Sequence, residues 1–436
     1  MKRFLALAIA ALMILSCAAC SSDGNGDTTA AEGTTAADTV SDVIAAPVND
    51  DTTAPSETAV PAENGGNTAS PAPADRNNNI NIKPAGTAKP SAGGSSTVTP
   101  PKTDNTPVEV ETDPKKIIVS AEKEWIFTEK ITDSCHASTV LPLDDGSVIA
   151  AWFGGSSEKE NDVNIYTSVR TEKDGWSKPI VVSAAAEIAH WNPVLFQKED
   201  GTVILYFKVG KDTDYWQTYY ATSTDGRSWS TPKELVPGDN SGGRGPVKNK
   251  PIRLKDGTVL APASTEINGE WRAFVDISND DGETWTRTEN VDSKYCICFK
   301  VPMIQPTLWQ SADGSVHMLT RTKVGKIYRS DSYDNGKTWC RAYATKLPSN
   351  NSGIDLDTDD QGRIFLAYNN IGAPGIRTPL VLSVSTDDGK TFTKIKTFER
   401  GLAEYSYPAV VVKGDTIHIT YTYERDYTAY WQIKVK

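Results

Sequence analysis

From residue 116 onward the chain is a succession of short apolar runs separated by polar turns. Residues 251–262 show the pattern, with one short segment on each side of Asp256-Gly257. Alternation with a period of two, broken by Asp-Gly, predicts two antiparallel strands joined by a tight hairpin. The same signal recurs at Asp145-Gly146, Asp200-Gly201, Asp313-Gly314 and Gln361-Gly362. No long amphipathic helical pattern is visible, so the predicted elements are short β-strands.

A second pattern repeats at a longer period. Ser, Asp, Gly and a closing aromatic recur in residues 223–229, 278–285, 332–339 and 385–392, with starts 55, 54 and 53 residues apart, and a degenerate copy occupies residues 170–177. Asp and Asn bond to their own backbone, Gly supplies a positive φ, and the aromatic ring can pack between neighbouring sheets. These residues are therefore interpreted as structural turns without a catalytic role. A period of about fifty residues accommodates roughly four short strands, the size of one propeller blade.

The repeats predict an all-β fold, a six-bladed β-propeller. The expected starts of the six blades are His136, Asn192, Lys250, Gln305, Ser352 and Tyr407. Residues 116–129 precede the first blade and can supply a strand that closes the ring beside the C-terminal one. A β-sandwich also contains many short strands, but it would not repeat a turn motif at this spacing.

The composition divides the chain into three parts. Residues 21–115 contain no aromatic residue and are rich in Thr, Ala, Pro, Gly, Asn and Ser, whereas all 11 Trp and all 16 Tyr follow them. Such a segment buries too little apolar surface to offset the entropy of ordering, which predicts a disordered linker. Residues 1–20 have a basic start, a short apolar run and small residues before Cys20, as in a secretory signal peptide. The folded domain is thus predicted over residues 116–436.

The end of the signal segment, Ala18-Ala19-Cys20, resembles a bacterial lipobox. That resemblance implies a lipid on Cys20 and a membrane-anchored, extracytoplasmic protein at the cell surface. Ordinary signal cleavage is the alternative, and Cys17 is a second candidate anchor. The net charge of −11 and the lack of a basic run in the folded part argue against a nucleic-acid partner. The spacings of Cys and His suggest no metal site, and no cofactor is predicted.

The repeated turns resemble the Asp-boxes of the sialidase (neuraminidase) superfamily, in its BNR-repeat branch of six-bladed propellers. The resemblance covers residues 130–436 and implies a glycan substrate, although a fold alone does not fix a function. Sialidases bind the substrate carboxylate with three arginines and attack the sugar with a tyrosine, assisted by a glutamate and an aspartate. A neutral tyrosine suits this role because a carboxylate nucleophile would be repelled by the carboxylate of the sugar.

Part of this machinery has counterparts in the chain. Arg321 and Arg377, each ahead of an Asp-box, are similar to the second and third arginines of the family. Tyr405, followed by Ser406, resembles the nucleophile, with a packed channel aromatic as the alternative interpretation. Asp162 resembles the acid/base aspartate, although its polar loop can also be simply solvated.

Two positions depart from the family pattern. His136 stands where the family has its first arginine, and Gln305 stands where it has a glutamate. Because an amide cannot accept a tyrosine proton, the base is expected to be Glu404 or Glu266. Adjacent residues on a strand face opposite ways, which disfavours Glu404 as a partner of Tyr405.

Several further residues are expected to contact the sugar, because they lie where the inner strands of the blades begin. Together with His136, Arg321, Arg377 and Gln305, these are Asn192, Lys248 and Asn249. Trp191 and Trp216 are expected to be exposed and able to stack on sugar rings. The other histidines, His190, His317 and His418, are interpreted as structural.

The leading functional hypothesis is a surface-tethered, exo-α-sialidase-like hydrolase that acts on terminal acidic sugars. A second hypothesis is a propeller that cuts another acidic glycan by hydrolysis or by elimination, with His136 or Tyr405 as the base. A third is a non-catalytic protein that binds glycans at the cell surface.

Overall fold

The protein is described by a computed structural model that covers residues 113–184, 187–296 and 299–436. The predicted signal peptide, the lipidation site Cys20 and nearly all of the predicted linker lie outside the described residues. Within the described part, the strands form six antiparallel sheets of four or five strands and one separate two-stranded hairpin. The prediction of an all-β, six-bladed propeller is confirmed.

The blades follow one another along the chain. The first strand of the chain is β1 (Ile118–Trp125). Blade 1 contains β2 (Ser134–Pro142), β3 (Val148–Gly155), β4 (Asn164–Thr171), β5 (Gly175–Trp176) and β6 (Ile180–Val182). Blade 2 contains β7 (His190–Gln197), β8 (Val203–Val209), β9 (Gln217–Ser223) and β10 (Lys233–Glu234). Blade 3 contains β11 (Ile252–Arg253), β12 (Val259–Thr265), β13 (Arg272–Ser278) and β14 (Thr286–Arg287).

The separate hairpin, β15 (Lys294–Cys296) and β16 (Phe299–Lys300), comes between blades 3 and 4. Blade 4 contains β17 (Met303–Gln310), β18 (Val316–Thr322), β19 (Lys326–Ser332) and β20 (Tyr343–Pro348). Blade 5 contains β21 (Asp355–Thr358), β22 (Ile364–Asn369), β23 (Leu380–Ser385) and β24 (Thr393–Glu399). Blade 6 contains β25 (Tyr405–Lys413), β26 (Thr416–Tyr423) and β27 (Tyr427–Val435). A 3₁₀ turn, Ile267–Gly269, joins β12 to β13. Among the described residues, no helix has the length and apolar character needed to cross a membrane.

The ring is closed by the two ends of the folded chain. Strand β1 pairs antiparallel with β27 and becomes the outer strand of blade 6, with Ala121 opposite Ile433. The predicted closure by residues 116–129 is thus confirmed. Because blade 6 takes strands from both ends of the domain, opening the ring requires this long-range pairing to break.

The core consists of six apolar layers, one between each pair of adjacent blades. Strand β3 shows how a single strand serves two layers. Its residues Val148, Ala150 and Trp152 pack against blade 6. The residues between them, Ile149 and Ala151, pack against blade 2. Since side chains alternate along a strand, a strand covered on both faces is apolar at every position, and β3 is buried throughout.

The Asp-boxes are turns held by their own side chains, as predicted. In the third box, Ser332 Oγ accepts a hydrogen bond from Gly336 N at 2.9 Å, and Asp334 Oδ1 accepts one from Thr338 N at 2.9 Å. Gly336 has a φ of 79°, and a Cβ atom there would lie 2.6 Å from Leu260 Cδ1 of the preceding blade. Glycine is required at this position by both the backbone conformation and the close packing. The closing Trp339 packs in the layer between blades 3 and 4.

Candidate active site

The candidate site is built where the inner strands of the blades begin. Four of these strands, β2, β7, β17 and β25, have a register shift in their first residues. The residues at the shifts have φ between 42° and 53°: Ala137, Asn192, Gln305 and Tyr407. A β-bulge of this kind interrupts the alternation of side chains and redirects one of them. Proline follows three of the four residues, as expected at a break in strand pairing.

Two buried polar side chains of blade 3 bond to the backbone at two of these bulges. Lys248 Nζ donates hydrogen bonds to the carbonyl oxygens of Pro408 and of Ile354, the latter at 3.1 Å. Asn249 Nδ2 donates to the carbonyl oxygens of Gln305 and Pro306, at 3.1 and 2.9 Å. Burial lowers the pKa of Lys248 to about 7. The structure therefore places Lys248 and Asn249 as braces between blades 3, 4, 5 and 6.

Arg321 lies at the centre of the site with its side chain almost completely buried. Its Nη1 atom donates to Gln305 Oε1 at 3.0 Å and to Tyr407 Oη at 2.5 Å. Its Nη2 atom donates to Asn351 Oδ1 at 3.1 Å, and the guanidinium carbon lies 5.0 Å from the ring centroid of Trp271. The Nε atom has no hydrogen-bond partner among the described residues. A buried cation with an unused donor is suited to bind an anion or a water molecule.

A second group of charges surrounds Glu404. Arg377 Nη1 donates to Glu404 Oε1 at 2.6 Å, and Arg425 Nε donates to Glu404 Oε2 at 3.2 Å. Although burial opposes ionisation, the charges of Arg377 and Arg425 lower the pKa of Glu404 below its usual range. Arg425 also donates to Glu158 Oε2 at 2.7 Å. Glu404 therefore remains ionised and orients two arginines at the mouth of the site.

His136 lies between these two groups. Its ring centroid is 4.2 Å from that of Tyr407, and its Nδ1 atom is 3.9 Å from Glu404 Oε1. Burial, followed by the charges of Arg425, Arg377, Arg321 and Lys248, lowers the pKa of His136 well below its ordinary value. The imidazole is thus neutral near pH 7 and its contact with Glu404 is no ion pair. The buried Nδ1 atom has no hydrogen-bond partner among the described residues.

The two tyrosines of β25 have different surroundings. The Tyr405 ring packs 5.0 Å from Tyr423 in the layer between blades 5 and 6, and its hydroxyl faces Glu424 Oε1 at 3.4 Å. Burial and the neighbouring Tyr423 raise the pKa of Tyr405 to about 12. Tyr407, two residues further on, instead contacts Arg321 and His136. The bulge explains the difference, because it breaks the alternation immediately after Ser406.

The predicted carboxylates are also distributed unevenly. Asp162 is exposed and accepts hydrogen bonds from Ser156 N at 2.8 Å and Ser156 Oγ at 2.9 Å, so that it closes its own loop. The same loop instead brings Glu158 to Arg425. Burial raises the pKa of Glu266, and the positive charges of Arg321 and Lys323 partly offset the increase. Glu266 therefore belongs to the electrostatic surroundings of Arg321.

The remaining predicted residues lie around this centre. Asn192 is buried at the bulge of blade 2. The prediction that Trp191 and Trp216 are exposed is wrong: they are 2% and 1% exposed, and their Nε1 atoms donate to the carbonyl oxygens of Gly210 and Gly242. Each is held in the layer between blades and cannot stack on a sugar. His190, by contrast, is fully buried and bonded to backbone groups, consistent with a structural role.

The cluster at the mouth thus joins residues from distant parts of the chain, and sequence reasoning missed several of them. The predicted members that converge are His136, Gln305, Arg321, Arg377 and Glu404. The members that were not predicted are Glu158, Trp271, Asn351, Tyr407 and Arg425. Tyr407-Pro408 did carry a signal, because Asn192-Pro193 and Gln305-Pro306 show the same residue pattern at equivalent places. The described residues contain no group of three side chains that could hold a metal ion.

The arrangement places the hydroxyl of Tyr407 among several cationic side chains. Arg321, Arg377, Arg425 and Lys323 face the carboxylates of Glu158, Glu266 and Glu404. Tyr407 Oη accepts a hydrogen bond from the Arg321 guanidinium, and the Tyr407 ring lies beside the neutral imidazole of His136. The catalytic and substrate-binding roles assigned to individual residues stay predictions.

Solved structures with the same fold include several sialidases. A protein of unknown function from Dyadobacter fermentans has 15% identity and a TM-score of 0.60, over 73% of this chain and 100% of its own. The Hadza microbial sialidase Hz136 has 16% identity and a TM-score of 0.59, over 70% of this chain and 66% of its own. A Trypanosoma rangeli sialidase, solved with the inhibitor DANA, has 14% identity and a TM-score of 0.57, over 72% of this chain and 60% of its own. At these identities the similarity shows the fold.

Two further comparisons concern the sequence. No protein with a curated description matches the chain. The model of the BNR repeat-like domain matches residues 146–419, which is more than half of the chain and reaches from blade 1 to blade 6. Together with the six blades and their Asp-boxes, this match shows that the chain belongs to the family of BNR repeat-like domain proteins with a sialidase-like propeller.

Proposed function

We propose that this protein is a sialidase-like glycoside hydrolase that removes terminal acidic sugars from glycans. The observation that carries the proposal is the contact of Tyr407 Oη with the buried Arg321, beside the neutral His136. A sugar carboxylate would bind at Arg321, close to the phenol that attacks. Because residues 1–20 are predicted to be a lipoprotein-type signal peptide, we also propose that the enzyme acts at the cell surface.

In this proposal the carboxylate is recognised by charge and geometry. Arg321 can offer its unpartnered Nε, and Arg377 and Arg425 present further donors held in place by Glu404. A guanidinium matches a carboxylate in a bidentate arrangement, so that the acidic sugar is both bound and oriented. The mouth can accept an anion because its four cations outnumber its three carboxylates, and Glu266 has a raised pKa.

Tyr407 then takes the role that sequence similarity gives to Tyr405. Its oxygen attacks the anomeric carbon, and its proton passes to the neutral imidazole of His136. Glu266, with a pKa raised by burial, can donate a proton to the leaving oxygen. Water then releases the sugar from Tyr407.

The two tyrosines provide a matched test. Hydrolysis of 4-methylumbelliferyl α-sialoside should fall about a thousandfold or more in Tyr407→Phe, because the nucleophile is lost. Tyr405→Phe should stay within about threefold of wild type, because its hydroxyl faces Glu424 at 3.4 Å and its ring packs against Tyr423, away from Arg321. Full activity of Tyr407→Phe would overturn the proposal, and loss of activity in Tyr405→Phe alone would restore the assignment made from sequence.

A second candidate function is elimination on a chain that contains uronic acids. It is favoured by Gln305, an amide where a hydrolase of this type would have a carboxylate base, and by the neutral His136. Arg321 would neutralise the sugar carboxylate and acidify the proton on the adjacent carbon, which His136 would remove. Cleavage of oligogalacturonate with a rise in absorbance near about 235 nm, lost in His136→Gln, would support this function. Hydrolysis without that absorbance would exclude it.

A further inference from the structure

A groove of about 760 Å³ lies on the side of the propeller between blades 4 and 5, apart from the candidate active site. Its walls come from β19, β20 and the end of β22, and from the Asp-box of blade 5. Pro348 and Asn370 line the groove, and the segments that follow them carry Asn351 and Arg377 of the candidate site. The groove is therefore continuous along the chain with the loops of the active-site mouth.

Aromatic rings line this groove and are exposed to solvent. Tyr333 is 80% exposed and Tyr343 is 45% exposed. The ring of Tyr343 is fixed, because its hydroxyl donates to Asp331 Oδ2 at 2.8 Å. Asp331 is in turn held by Arg329 Nε, at 2.7 Å. A fixed ring with an open face can stack on a sugar without losing much conformational freedom.

Three lysines, Lys346, Lys390 and Lys394, stand beside these rings. All three are exposed, and within the described residues no ion pair engages any of them. Of the described carboxylates, only Asp331 lines the groove, and its charge is matched by Arg329. A local excess of positive charge is unusual on a chain with a net charge of −11.

We infer that this groove is an accessory binding site for an acidic glycan chain. Tyr333 and Tyr343 would stack against sugar rings, and Lys346, Lys390 and Lys394 would bind the carboxylates along the chain. A protein with an apolar contact face is a less suitable occupant, because the lysines would have to be buried without partners. The site would hold a long glycan on the enzyme while one of its ends reaches the mouth.

Binding is measured by calorimetry with a sialic acid octamer and with hexagalacturonate, and maltohexaose serves as the neutral control. The protein carries Tyr407→Phe so that cleavage does not interfere. An acidic oligomer should bind, and maltohexaose should bind at least about tenfold more weakly. Added salt should weaken the binding of the acidic oligomer, because salt screens exposed charges.

Two pairs of variants locate the site. Lys390→Gln combined with Lys394→Gln should weaken oligomer binding about tenfold, and Tyr333→Ala should weaken it about fivefold. The controls are Lys173→Gln with Lys178→Gln, which changes the net charge by the same amount, and Tyr215→Ala, which removes another exposed ring. The controls should leave binding within about twofold.

Equal loss in the groove and control variants would overturn the inference, as would acidic oligomers that bind no tighter than maltohexaose. A dimer in sedimentation that dissociates in Tyr333→Ala would also overturn it, since a second copy would then occupy the groove. The result is independent of the proposed hydrolysis, because cleavage of the small 4-methylumbelliferyl sialoside does not involve the groove. The groove variants, made without Tyr407→Phe, should leave that activity unchanged.

Discussion

Arg321 is the residue whose replacement gives the clearest prediction about the site. Its guanidinium joins three blades, since its hydrogen bonds reach Gln305 of blade 4, Asn351 at the start of blade 5 and Tyr407 of blade 6. Arg321→Lys keeps the positive charge but replaces the planar fork by a single ammonium on a different stem. An ammonium at this position is expected to keep one of the three hydrogen bonds.

The size of the effect follows from those bonds. A hydrogen bond that involves a charged group contributes about 1.5–3 kcal/mol, so the loss of two removes about 3–6 kcal/mol. If that energy is expressed in the transition state, kcat/KM falls by about two to four powers of ten. The part that is instead lost from folding appears as a lower free energy of unfolding.

The assay combines kcat/KM on 4-methylumbelliferyl α-sialoside with urea unfolding of the same preparations. Arg244→Lys is the matched control, because Arg244 is also largely buried and binds the buried Asp276 through Nε and Nη2, at 3.1 and 2.7 Å. The control should lose stability but keep its activity per folded molecule. A folded Arg321→Lys protein with activity within about threefold of wild type would refute the reasoning, because the lost energy would then be absent from the transition state.

Three other predictions concern the fold and the charges of the site. Gly336→Ala should lower the free energy of unfolding by about 2–4 kcal/mol, because it adds a clash with Leu260 to the strain of a positive φ. Gly362 has a similar φ of 76°, but a methyl group there would meet open space. Urea unfolding of Gly362→Ala should therefore show a decrease of about 1 kcal/mol in the free energy of unfolding. Equal decreases in the two variants would contradict the packing argument. Burial lowers the pKa of Lys208 from 10.5 to about 7, so between these values the unfolded chain binds more protons and stability rises with pH. Urea unfolding measures how much the free energy of unfolding rises from pH 7 to pH 9. This rise should be smaller in Lys208→Met than in wild type, by on the order of a few kcal/mol. An unchanged rise in the variant would exclude Lys208 as its source. Glu404→Gln should lower kcat for an acidic substrate about tenfold or more, because Arg377 and Arg425 lose the carboxylate that orients them. It should also lower KM, because the charges of these arginines are then no longer neutralised by Glu404 and can attract the substrate. Steady-state kinetics in which KM rises instead would show that Glu404 does not compete with the substrate.

The comparison of Tyr405 with Tyr407 shows where prediction from sequence ends. Alternation along a strand correctly separates Glu404 from Tyr405, because Glu404 and Ser406 bond to each other at 2.7 Å and Tyr405 faces the apolar layer. Alternation then fails at Tyr407, which has a φ of 53°. Lys248, more than 150 residues away in sequence, bonds to the carbonyl of Pro408 and supports this bulge. A contact at that separation leaves no periodic signal in the sequence.

The loop that follows β3 gives a second example. Its polar composition and its Asp162 predict an acid at the site, and the carboxylate of this loop that contacts the cluster at the mouth is Glu158. The choice between them depends on Arg425, which arrives from the turn between β26 and β27 and binds Glu158 at 2.7 Å. Asp162 instead binds the backbone and hydroxyl of Ser156 within the same loop.

Local sequence chemistry is enough to predict the strands, the Asp-box turns, the number of blades and the closure of the ring. These features depend on local chemistry, that is, on alternation, on turn residues and on a repeat of about fifty residues, so they are visible along the chain. The tertiary structure fixes which side chains meet at the mouth, because those contacts join blades 1, 3, 4, 5 and 6 through bulges and loop ends. It also buried Trp191 and Trp216, since a residue's exposure depends on the blade that packs against it.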